Sequence, residues 1–479
     1  MSPRIQFTFT PRRWAVLVML TAIATIFPAS ASGQSAELSR YEALAREIFR
    51  ELIEINTTHS VGNTTTAAEA MAARLIAAGF PESDVHVLGG RADRGNLVAR
   101  YRGGGAREPI LVMAHIDVVE ADPADWNLDP FTFIEQDGYF YSRGTTDDKD
   151  EAAIYVANFI RMKEEGFVPD RDIIMALTAD EEGGPNNGIQ WLIQNRRDLV
   201  DAAYALNEGG GGSLEDGRRI SNNVQASEKI YQSFTLEATN PGGHSSLPAK
   251  DNAIYHLANA LLKIQAFDFP VNLNAVTRAY FERTANLVDP ETAAAMRGIL
   301  GSRPDRQSAD VLAPTPAYNS RMRTTCVATM LNGGHAENAL PQRAQATVNC
   351  RVLPDEMPED VHNTLVRVVD NDQVSITPIG QGQPSPPSPL TPELLEAIER
   401  ITEQMWPDVP VIPTMSTGAT DGMYLRRAGI PVYGVSGLFN DVNDVRAHGQ
   451  DERISTRSFY EGLEFLYRLV KTLSSAEVM

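Results

Sequence analysis

Short apolar segments of strand length alternate with helical patterns in the first half of this chain and again near its end. Runs such as ILVMA and DIIMALTA are almost continuously apolar, and the span 151–165 between them repeats its apolar residues with helical spacing. Continuously apolar strands are typical of parallel sheets whose two faces are both covered by helices. The pattern therefore predicts an α/β fold with a mainly parallel, buried sheet.

A different order of elements interrupts this alternation. The chain has 479 residues, more than the roughly 250 to 300 at which a single core stops growing. Residues 226–384 read as strand, helix, strand, strand, helix, strand, which predicts an inserted two-layer α+β domain. The Pro-rich segment QGQPSPPSPLTP follows as a linker. We therefore expect one α/β domain built from residues 36–225 and 385–479, and a long loop with one short helix over residues 268–322.

The N-terminus has the pattern of a secretory signal peptide. Arg12 and Arg13 precede an apolar run over residues 14–27, and the small residues 29–31 follow. The run is shorter than the roughly 20 residues that a membrane span needs. The pattern predicts that residues 1–31 are cleaved off and that the protein is exported, to the periplasm or the extracellular space. We expect no stable membrane span after processing. A twin-arginine signal and an uncleaved anchor are the alternatives left open.

Export matters for the two cysteines of the chain. Cys326 lies in TTCVATML and Cys350 in QATVNCRVL, two predicted strands that are able to pair antiparallel. An oxidising compartment permits a disulfide between them, and a pair of small buried thiols is the other interpretation. The sequence alone leaves both open.

The charge of the chain excludes one class of partner. There are 62 acidic and 42 basic residues, which give a formal net charge of −20. Such a charge is repelled by a nucleic-acid backbone and by an anionic membrane surface. We therefore predict no nucleic-acid partner. Acidic residues concentrated at one point, in contrast, are what a cation needs.

Such a concentration follows from the positions of the acidic residues. A histidine and several carboxylates stand directly after the predicted strands, beside glycine or other small residues, and the carboxyl ends of parallel strands meet at one edge of a sheet. Helix caps and turns would explain some aspartates, but not the crowding of glutamates, because like charges raise one another's pKa. The residues are His115 and Asp117, Asp147, Glu181 and Glu182, and Glu208.

Metal ions are the simplest compensation for this crowding. A late histidine, His448 in RAHGQDER, would complete a mixed set of imidazole and carboxylate ligands. Such a set suits Zn²⁺, with Mn²⁺ or Co²⁺ as substitutes. We therefore predict a metal-dependent enzyme.

In chain order, the segments His-x-Asp, RGTTDDK, DEEGG, NEGG, GGHSS, the Asn-x-x-Pro of ENALPQR and the terminal histidine resemble the M20 family of di-zinc peptidases and amidohydrolases. The carboxypeptidase S-like branch is the most similar, because Asp150 follows Lys149 where many relatives have glycine and because the insert is long. The resemblance implies a zinc-peptidase catalytic domain with an inserted lid or dimerisation domain.

The resemblance also implies a role for each motif residue. Glu181 would be the general base, taking a proton from a water shared by two metal ions and passing it to the leaving amine. Asp117 would orient the ring of His115, and the peptide bond between Asp147 and Asp148 would be cis. The implied metal ligands are Asp147 bridging both ions, His115 and Glu208 on one ion, and Glu182 and His448 on the other.

The inserted domain would supply part of the substrate site. Taken alone, His244 in GGHSS reads as a surface residue, but in the family this position donates to the scissile carbonyl, often from a partner subunit. Asn338 and Arg351 resemble residues that hold the substrate's carboxylate, and Gly418 would line the pocket with the neighbouring residues 420–421. Both a monomer and a homodimer through the inserted domain stay open.

These features predict an exported di-zinc hydrolase. Its substrate would be a peptide or N-acyl amino acid, cleaved at the amide bond next to an amino acid with a free carboxylate, as in a carboxypeptidase or dipeptidase. An N-acyl-amino-acid deacylase is the alternative, and an inactive zinc-dependent binding protein is a remote one, against which an unligated Glu181 argues. A serine hydrolase would need a nucleophile motif such as G-x-S-x-G, which the sequence lacks.

Overall fold

The computed structural model describes residues 38–475. The helices within this range are α1 (Arg40–Glu54), α2 (Thr64–Ala77), α3 (Lys149–Glu164), α4 (Gly188–Asn195), α5 (Arg197–Val200), α6 (Ala253–Gln265), α7 (Ala275–Thr284), α8 (Pro290–Ile299), α9 (Arg306–Leu312), α10 (Pro316–Met322), α11 (Pro358–Val369), α12 (Pro392–Met405), α13 (Gly422–Arg427) and α14 (Thr456–Leu473).

The strands within the same range are β1 (Val85–Arg91), β2 (Arg94–Tyr101), β3 (Ile110–His115), β4 (Ile134–Gln136), β5 (Tyr139–Tyr141), β6 (Ile173–Thr178), β7 (Tyr204–Asn207), β8 (Gly211–Glu215), β9 (Arg218–Glu228), β10 (Ile230–Thr239), β11 (Gly243–His244), β12 (Thr325–Gly333), β13 (Ala339–Leu340), β14 (Arg343–Val352), β15 (Val374–Ile379), β16 (Val411–Ser416), β17 (Val432–Gly434), β18 (Phe439–Asp441) and β19 (Arg453–Ser455).

A large sheet of ten strands forms the centre of the fold. Its order is β1-β2-β6-β3-β7-β17-β9-β8-β18, and β16 pairs with β9. The four adjacent strands β6, β3, β7 and β17 are parallel, whereas β1 and β2 add to the edge as an antiparallel hairpin. The predicted α/β fold with a mainly parallel central sheet is confirmed.

Both faces of this sheet are covered by helices, as continuously apolar strands require. In β3, Ile110 and Val112 pack into the core under α1, α3 and α14, whereas Leu111 and Met113 pack on the opposite face with residues of α4 and α13. The first of these cores is rich in aromatic rings; the ring of Phe49 stacks on a neighbouring phenylalanine of α14 at 4.8 Å. Both cores leave the carboxyl edge of the parallel strands free to carry polar groups.

A second sheet of four antiparallel strands, in the order β12-β14-β10-β15, forms a small unit with α6 and α11. Its core joins Phe234 and Leu236 of β10 to Leu257 of α6 and Leu365 of α11. These elements give the predicted two-layer α+β arrangement. The chain enters this small unit at the junction of β9 and β10 and leaves it over residues 380–391.

Residues 268–322 form four helices, α7 to α10. The one short helix predicted there, ETAAAMRGIL, is present as α8, but the prediction of a long loop around it was wrong. The helices are short, between 7 and 10 residues each. They have too few turns for their buried apolar residues to show a clear helical period in the sequence. Local capping fixes the start of α7, α8 and α9: Asn274, Asp289 and Asp305 each accept hydrogen bonds from backbone amides of the first turn. They share a core of their own around Phe281.

One of these helices, α7, also packs against the large sheet at β16. Val276 inserts into the main core, and the Arg283 guanidinium donates to the Glu399 carboxylate at 2.6 Å and to the Val411 carbonyl at 2.7 Å. From α10, Arg321 donates to the Thr414 hydroxyl at 3.3 Å. At the start of the segment, Phe269 packs in the core of the small unit, so residues 268–322 contact both the small unit and the large sheet.

The two cysteines lie directly opposite each other on β12 and β14, and Cys326 and Cys350 form a disulfide bond. This settles the alternative that the sequence left open. The predicted signal peptide, residues 1–31, lies outside the described residues. Within residues 38–475, no helix has the length and apolar character needed to cross a membrane.

Candidate metal centre

Three parallel strands bring the predicted ligands to one edge of the large sheet. His115 is the last residue of β3 and lies opposite Thr178, the last residue of β6, so the turn after β6 starts beside it. Glu208 follows β7, the neighbour on the other side. Gly434 of β17 makes room for this turn, because a Cβ there would lie 2.3 Å from the Glu208 carbonyl oxygen.

The side chains meet around one central carboxylate. The two oxygens of Asp147 face different histidines: Oδ1 lies 2.8 Å from His115 Nε2 and Oδ2 lies 3.1 Å from His448 Nε2. His448 Nε2 is also 2.8 Å from Glu182 Oε1, and His115 Nε2 is 3.9 Å from Glu208 Oε2. The structure therefore brings together all five predicted ligands, with Asp147 between two groups.

The charges of these groups need a compensating cation. Burial and the neighbouring Glu181 carboxylate raise the pKa of Glu208 well above its usual range. Hydrogen bonds with Asp147 and Glu182 raise the pKa of His448 to about 10. Divalent cations replace protons on such ligands. Ligand atoms of His115, Asp147 and Glu182 lie within 4.8 Å of one another, and so do those of His115, Glu181 and Glu208. The donor types and their spacing fit two ions.

Glu181 lies at this centre as well. Burial, together with Asp421 and Glu182, raises the pKa of its carboxyl group to about 9. Its carboxylate is within ligand distance of His115 and Glu208. Position alone is compatible with a ligand or a general base, so the division of roles between Glu181 and Glu182 is a prediction for experiment.

Asp117 has a different contact from the one predicted. The His115 ring donates from Nδ1 to the backbone carbonyl of Asp117 at 3.0 Å, whereas the nearest Asp117 carboxylate oxygen is 3.6 Å away. The carboxylate instead accepts from the backbone amides of Glu181 and Glu182 at 3.1 and 3.0 Å. Asp117 therefore orients His115 through its main chain and fixes the loop of the two glutamates through its side chain.

The peptide bond between Asp147 and Asp148 is cis, as the resemblance implied. This bond precedes α3, whose Lys149 is fully buried and donates to the carbonyls of Leu52 and Ile55 at 2.8 and 2.9 Å. Burial lowers the pKa of Lys149 to about 7. The lysine fastens the start of α3 to the end of α1.

A buried ion pair, which the sequence did not reveal, joins two ligand-bearing segments. Glu452 lies four residues after His448, and its carboxylate accepts from Arg143 at 2.6 Å and from the Thr146 amide at 2.9 Å. Arg143 also donates to the Gly449 carbonyl at 3.1 Å. Both residues stand inside recognised motifs, but no sequence signal shows that they pair. The pair holds the segment of His448 against the segment of Asp147.

Replacing Glu452 by glutamine should therefore weaken metal binding without removing a ligand. The neutral amide loses the charged contact with Arg143, so His448 and Asp147 are held less firmly. We expect about a 10- to 100-fold loss of affinity for one ion, measured by zinc competition with a chelator. Glu393→Gln, which alters a surface ion pair with Arg107, is the matched control. Equal affinity in the two variants would show that the pair serves only folding.

A sequence model of the family described as Peptidase family M20/M25/M40 matches residues 111–472, a span that contains every residue of this centre. The chain belongs to this family. It is therefore a hydrolytic enzyme of the metallopeptidase and amidohydrolase type, and its site is a metal-binding one.

The relatives of this M20 enzyme cover three quarters of its length or more. It is 28% identical to the probable carboxypeptidase S-like 2 of Dictyostelium discoideum over 98% of this chain and 88% of the relative. It is 26% identical to the N-fatty-acyl-amino acid synthase/hydrolase PM20D1 of Homo sapiens, over 76% of this chain and 74% of the relative. The fold matches the crystal structure of an M20 family metallo-carboxypeptidase from Sulfolobus solfataricus with a TM-score of 0.66 and 17% identity, covering 90% of this chain and 99% of that one.

The predicted substrate residues of the M20 enzyme fall into two groups. His244 is exposed on β11, and its neighbour Ser245 donates to the Asn338 carbonyl at 3.0 Å, so His244 and Asn338 lie together. Arg351 lies on β14 opposite Tyr231, near the first residue of β10. Asn338 precedes β14, whose first residue, Arg343, pairs with the last residue of β10. Because β10 has 10 residues, each rising about 3.4 Å, Asn338 and Arg351 of one chain do not hold the same carboxylate.

Gly418 lies in the loop after β16, which connects the metal centre to the small unit. Thr420 donates from its amide and hydroxyl to Glu228 at the start of the crossing, at 3.1 and 2.9 Å. Asp421 accepts from the Thr178 hydroxyl at 2.8 Å and from the Asn187 amide, and burial raises its pKa to about 6. The loop is therefore anchored on both sides.

Proposed function

We propose that this M20 enzyme binds two divalent metal ions, preferably zinc ions. With them it hydrolyses an amide bond whose amine side is an amino acid with a free carboxylate. The position of Asp147 is the observation that carries the proposal, because its two oxygens face two separate histidines. His115 and Glu208 would hold one ion with Asp147, and Glu182 and His448 the other. When bound, the ions supply an activated water and polarise the scissile carbonyl.

The chain's own residues complete the reaction. Glu181 takes the proton of the attacking water and delivers it to the leaving nitrogen. Asp117 keeps this glutamate in place by accepting from its backbone amide. The Arg351 guanidinium, on β14 opposite the start of β10 and next to the crossing, receives the carboxylate of the leaving amino acid.

Peptidase and deacylase activity differ only on the acyl side of the bond. The names of the relatives support both, since one is carboxypeptidase S-like and the other an N-fatty-acyl-amino acid hydrolase. The test is a hydrolysis screen of the zinc-reconstituted protein with dipeptides and N-acyl amino acids that share one leaving amino acid. Release of that amino acid from either set supports the proposal and decides between the two activities. Bound zinc without any hydrolysis would favour the inactive binding protein.

Arg351→Ala should lower kcat/KM for substrates with a free carboxylate by about 10- to 100-fold, because a charge-assisted contact worth roughly 1.5 to 3 kcal/mol is lost. Substrates amidated at that end should lose little. Arg343→Ala on the same strand is the control, since its side chain is largely exposed and pairs with Glu237. An equal loss for both kinds of substrate would assign Arg351 a structural role.

We also propose a homodimer through the small unit. β12 is an edge strand of its sheet, and it exposes Val327, Met330 and Leu331 by 60%, 69% and 72%. On the adjacent α6, Tyr255 and Leu262 are exposed by 57% and 61%. A second copy would cover this apolar strip, and His244, which is exposed on β11, would then be available to the partner's metal centre. Light scattering should give twice the chain mass, and Leu331→Glu should give a monomer with lower activity. A fully active monomer would overturn the proposal.

Export is proposed on the signal-like pattern of residues 1–31. The disulfide between Cys326 and Cys350 supports it, because such bonds persist in oxidising compartments. N-terminal sequencing of the protein from a cell's exported fraction should begin close to residue 32.

A further inference from the structure

A cavity of about 300 Å³ lies where the chain crosses between the large sheet and the small unit. Its walls come from both crossings, from α4, from α13 and from the loop before α13. The lining residues on which the argument depends are Gln190, Ile230, Tyr231, Ala419, Met423 and Tyr424. A volume of this size is at the lower limit of small-molecule sites and has room for one side chain of a substrate.

Two residues that the sequence assigned to the substrate are each next to a residue of the cavity wall. The Arg351 guanidinium lies over the ring of Tyr231, 4.7 Å from its centre. Gly418 directly precedes Ala419. These residues are far apart in the chain and belong to different layers of the fold, so their convergence on one cavity is independent of the sequence motifs.

Hydrogen bonds connect the wall of the same cavity to the segment that follows Glu181. Tyr424 lies in α13, which begins one residue after Asp421. Asp421 accepts from Asn187, the residue that precedes α4 and its Gln190. The cavity wall thus includes Tyr231, which contacts the arginine proposed to hold the carboxylate, and residues of α4 and α13, whose N-terminal ends are joined by the hydrogen bond from Asn187 to Asp421. In an amino acid, the carboxylate and the side chain are both attached to the Cα atom. When Arg351 holds the carboxylate, the side chain therefore lies close to Arg351, where this cavity is.

The charged groups around the cavity are already engaged. The Glu228 carboxylate pairs with Arg426 and accepts from Thr420. The Lys229 ammonium donates to the Arg323 carbonyl at 2.6 Å. Arg427 donates to the carbonyls of residues 383 and 384.

Aromatic rings, a thioether, an aliphatic chain and the uncharged amides of glutamines therefore remain as contacts for a ligand. Tyr231 is 55% exposed, so its ring is accessible. Rings and thioethers pack favourably on aromatic groups.

We propose that this cavity receives the side chain of the leaving amino acid and selects a large uncharged side chain, above all an aromatic one. The inference rests on the proposed function, and it names the amine-side substrate class of that reaction. Ala419 is exposed at the cavity wall, so a larger residue there fills the cavity with little effect on the core.

The test measures binding of product amino acids, which requires no turnover. Calorimetry with the zinc-loaded full chain should show L-phenylalanine binding about tenfold or more tightly than glycine, and more tightly than L-glutamate. Ala419→Phe should remove the difference between phenylalanine and glycine. Ala266→Phe, at an exposed position at the end of α6, adds the same bulk elsewhere and should keep it.

Each contrary result has a separate meaning. Equal binding of glycine and phenylalanine, or tighter binding of glutamate, would overturn the assignment of the cavity. Equal weakening of all three ligands by Ala419→Phe would overturn it too, because the substitution would then act through the site as a whole. Hydrolysis of N-acetylglycine tests the proposed function independently, so a protein that binds phenylalanine selectively without hydrolysing any amide would disprove the reaction and leave the cavity assignment supported.

Discussion

Glu181→Gln should leave both metal ions bound while kcat falls by about 10² to 10⁴. Glutamine keeps the shape of the side chain and its backbone contact with Asp117, but it accepts no proton from the attacking water. Metal analysis of the purified variant, together with steady-state rates on the substrate found in the screen, measures the two effects separately.

Glu182→Gln is the matched control, because it makes the same chemical change one residue away. This variant weakens a ligand that lies beside His448, so it should lose affinity for one ion, and excess zinc should restore part of the rate. Near-full activity of Glu181→Gln, or its recovery with added zinc, would show that the two glutamates have exchanged roles. The close approach of Glu181 to His115 and Glu208 makes this comparison necessary.

Asp147→Ala should remove both ions and abolish hydrolysis. Each of its oxygens faces a different histidine, so one substitution takes a ligand from both ions and leaves the remaining carboxylates to repel one another. Bound zinc, measured by elemental analysis after zinc addition, should fall from about two equivalents to nearly none.

His448→Ala is the informative comparison for this result. It removes one ligand from one ion, so it should chiefly weaken that ion and leave the other in place. If Asp147→Ala retained one full equivalent, the carboxylate would belong to a single ion and the arrangement of the centre would need to be redrawn.

The ligands at the carboxyl ends of strands could be predicted from the sequence because parallel pairing sets their positions. Once β3, β6 and β7 are recognised as neighbours, His115 and Glu208 must lie at the same edge. The contacts of Asp117 could not be predicted, because a carboxylate on a turn has several amides within reach. The pairing of Arg143 with Glu452 joins residues 309 positions apart and has no local pattern.

The substrate side was less predictable for a geometric reason. Asn338 and Arg351 are close in sequence, but β14 runs between them and carries Arg351 to the opposite end of the small sheet. Three of the four helices of residues 268–322, α7, α9 and α10, were missed because they are too short for an apolar period to show.

The contacts of α7 and α10 have a consequence for motion. A rigid body joined to another at two neighbouring points keeps one free rotation, about the line through those points. The two crossings of the chain give the small sheet this single hinge axis. Val276, Arg283 and Arg321 add a third attachment away from that axis. Rotation of the small sheet toward the metal centre therefore requires α7 to slide along β16, although residues 268–322 hold none of the predicted site residues.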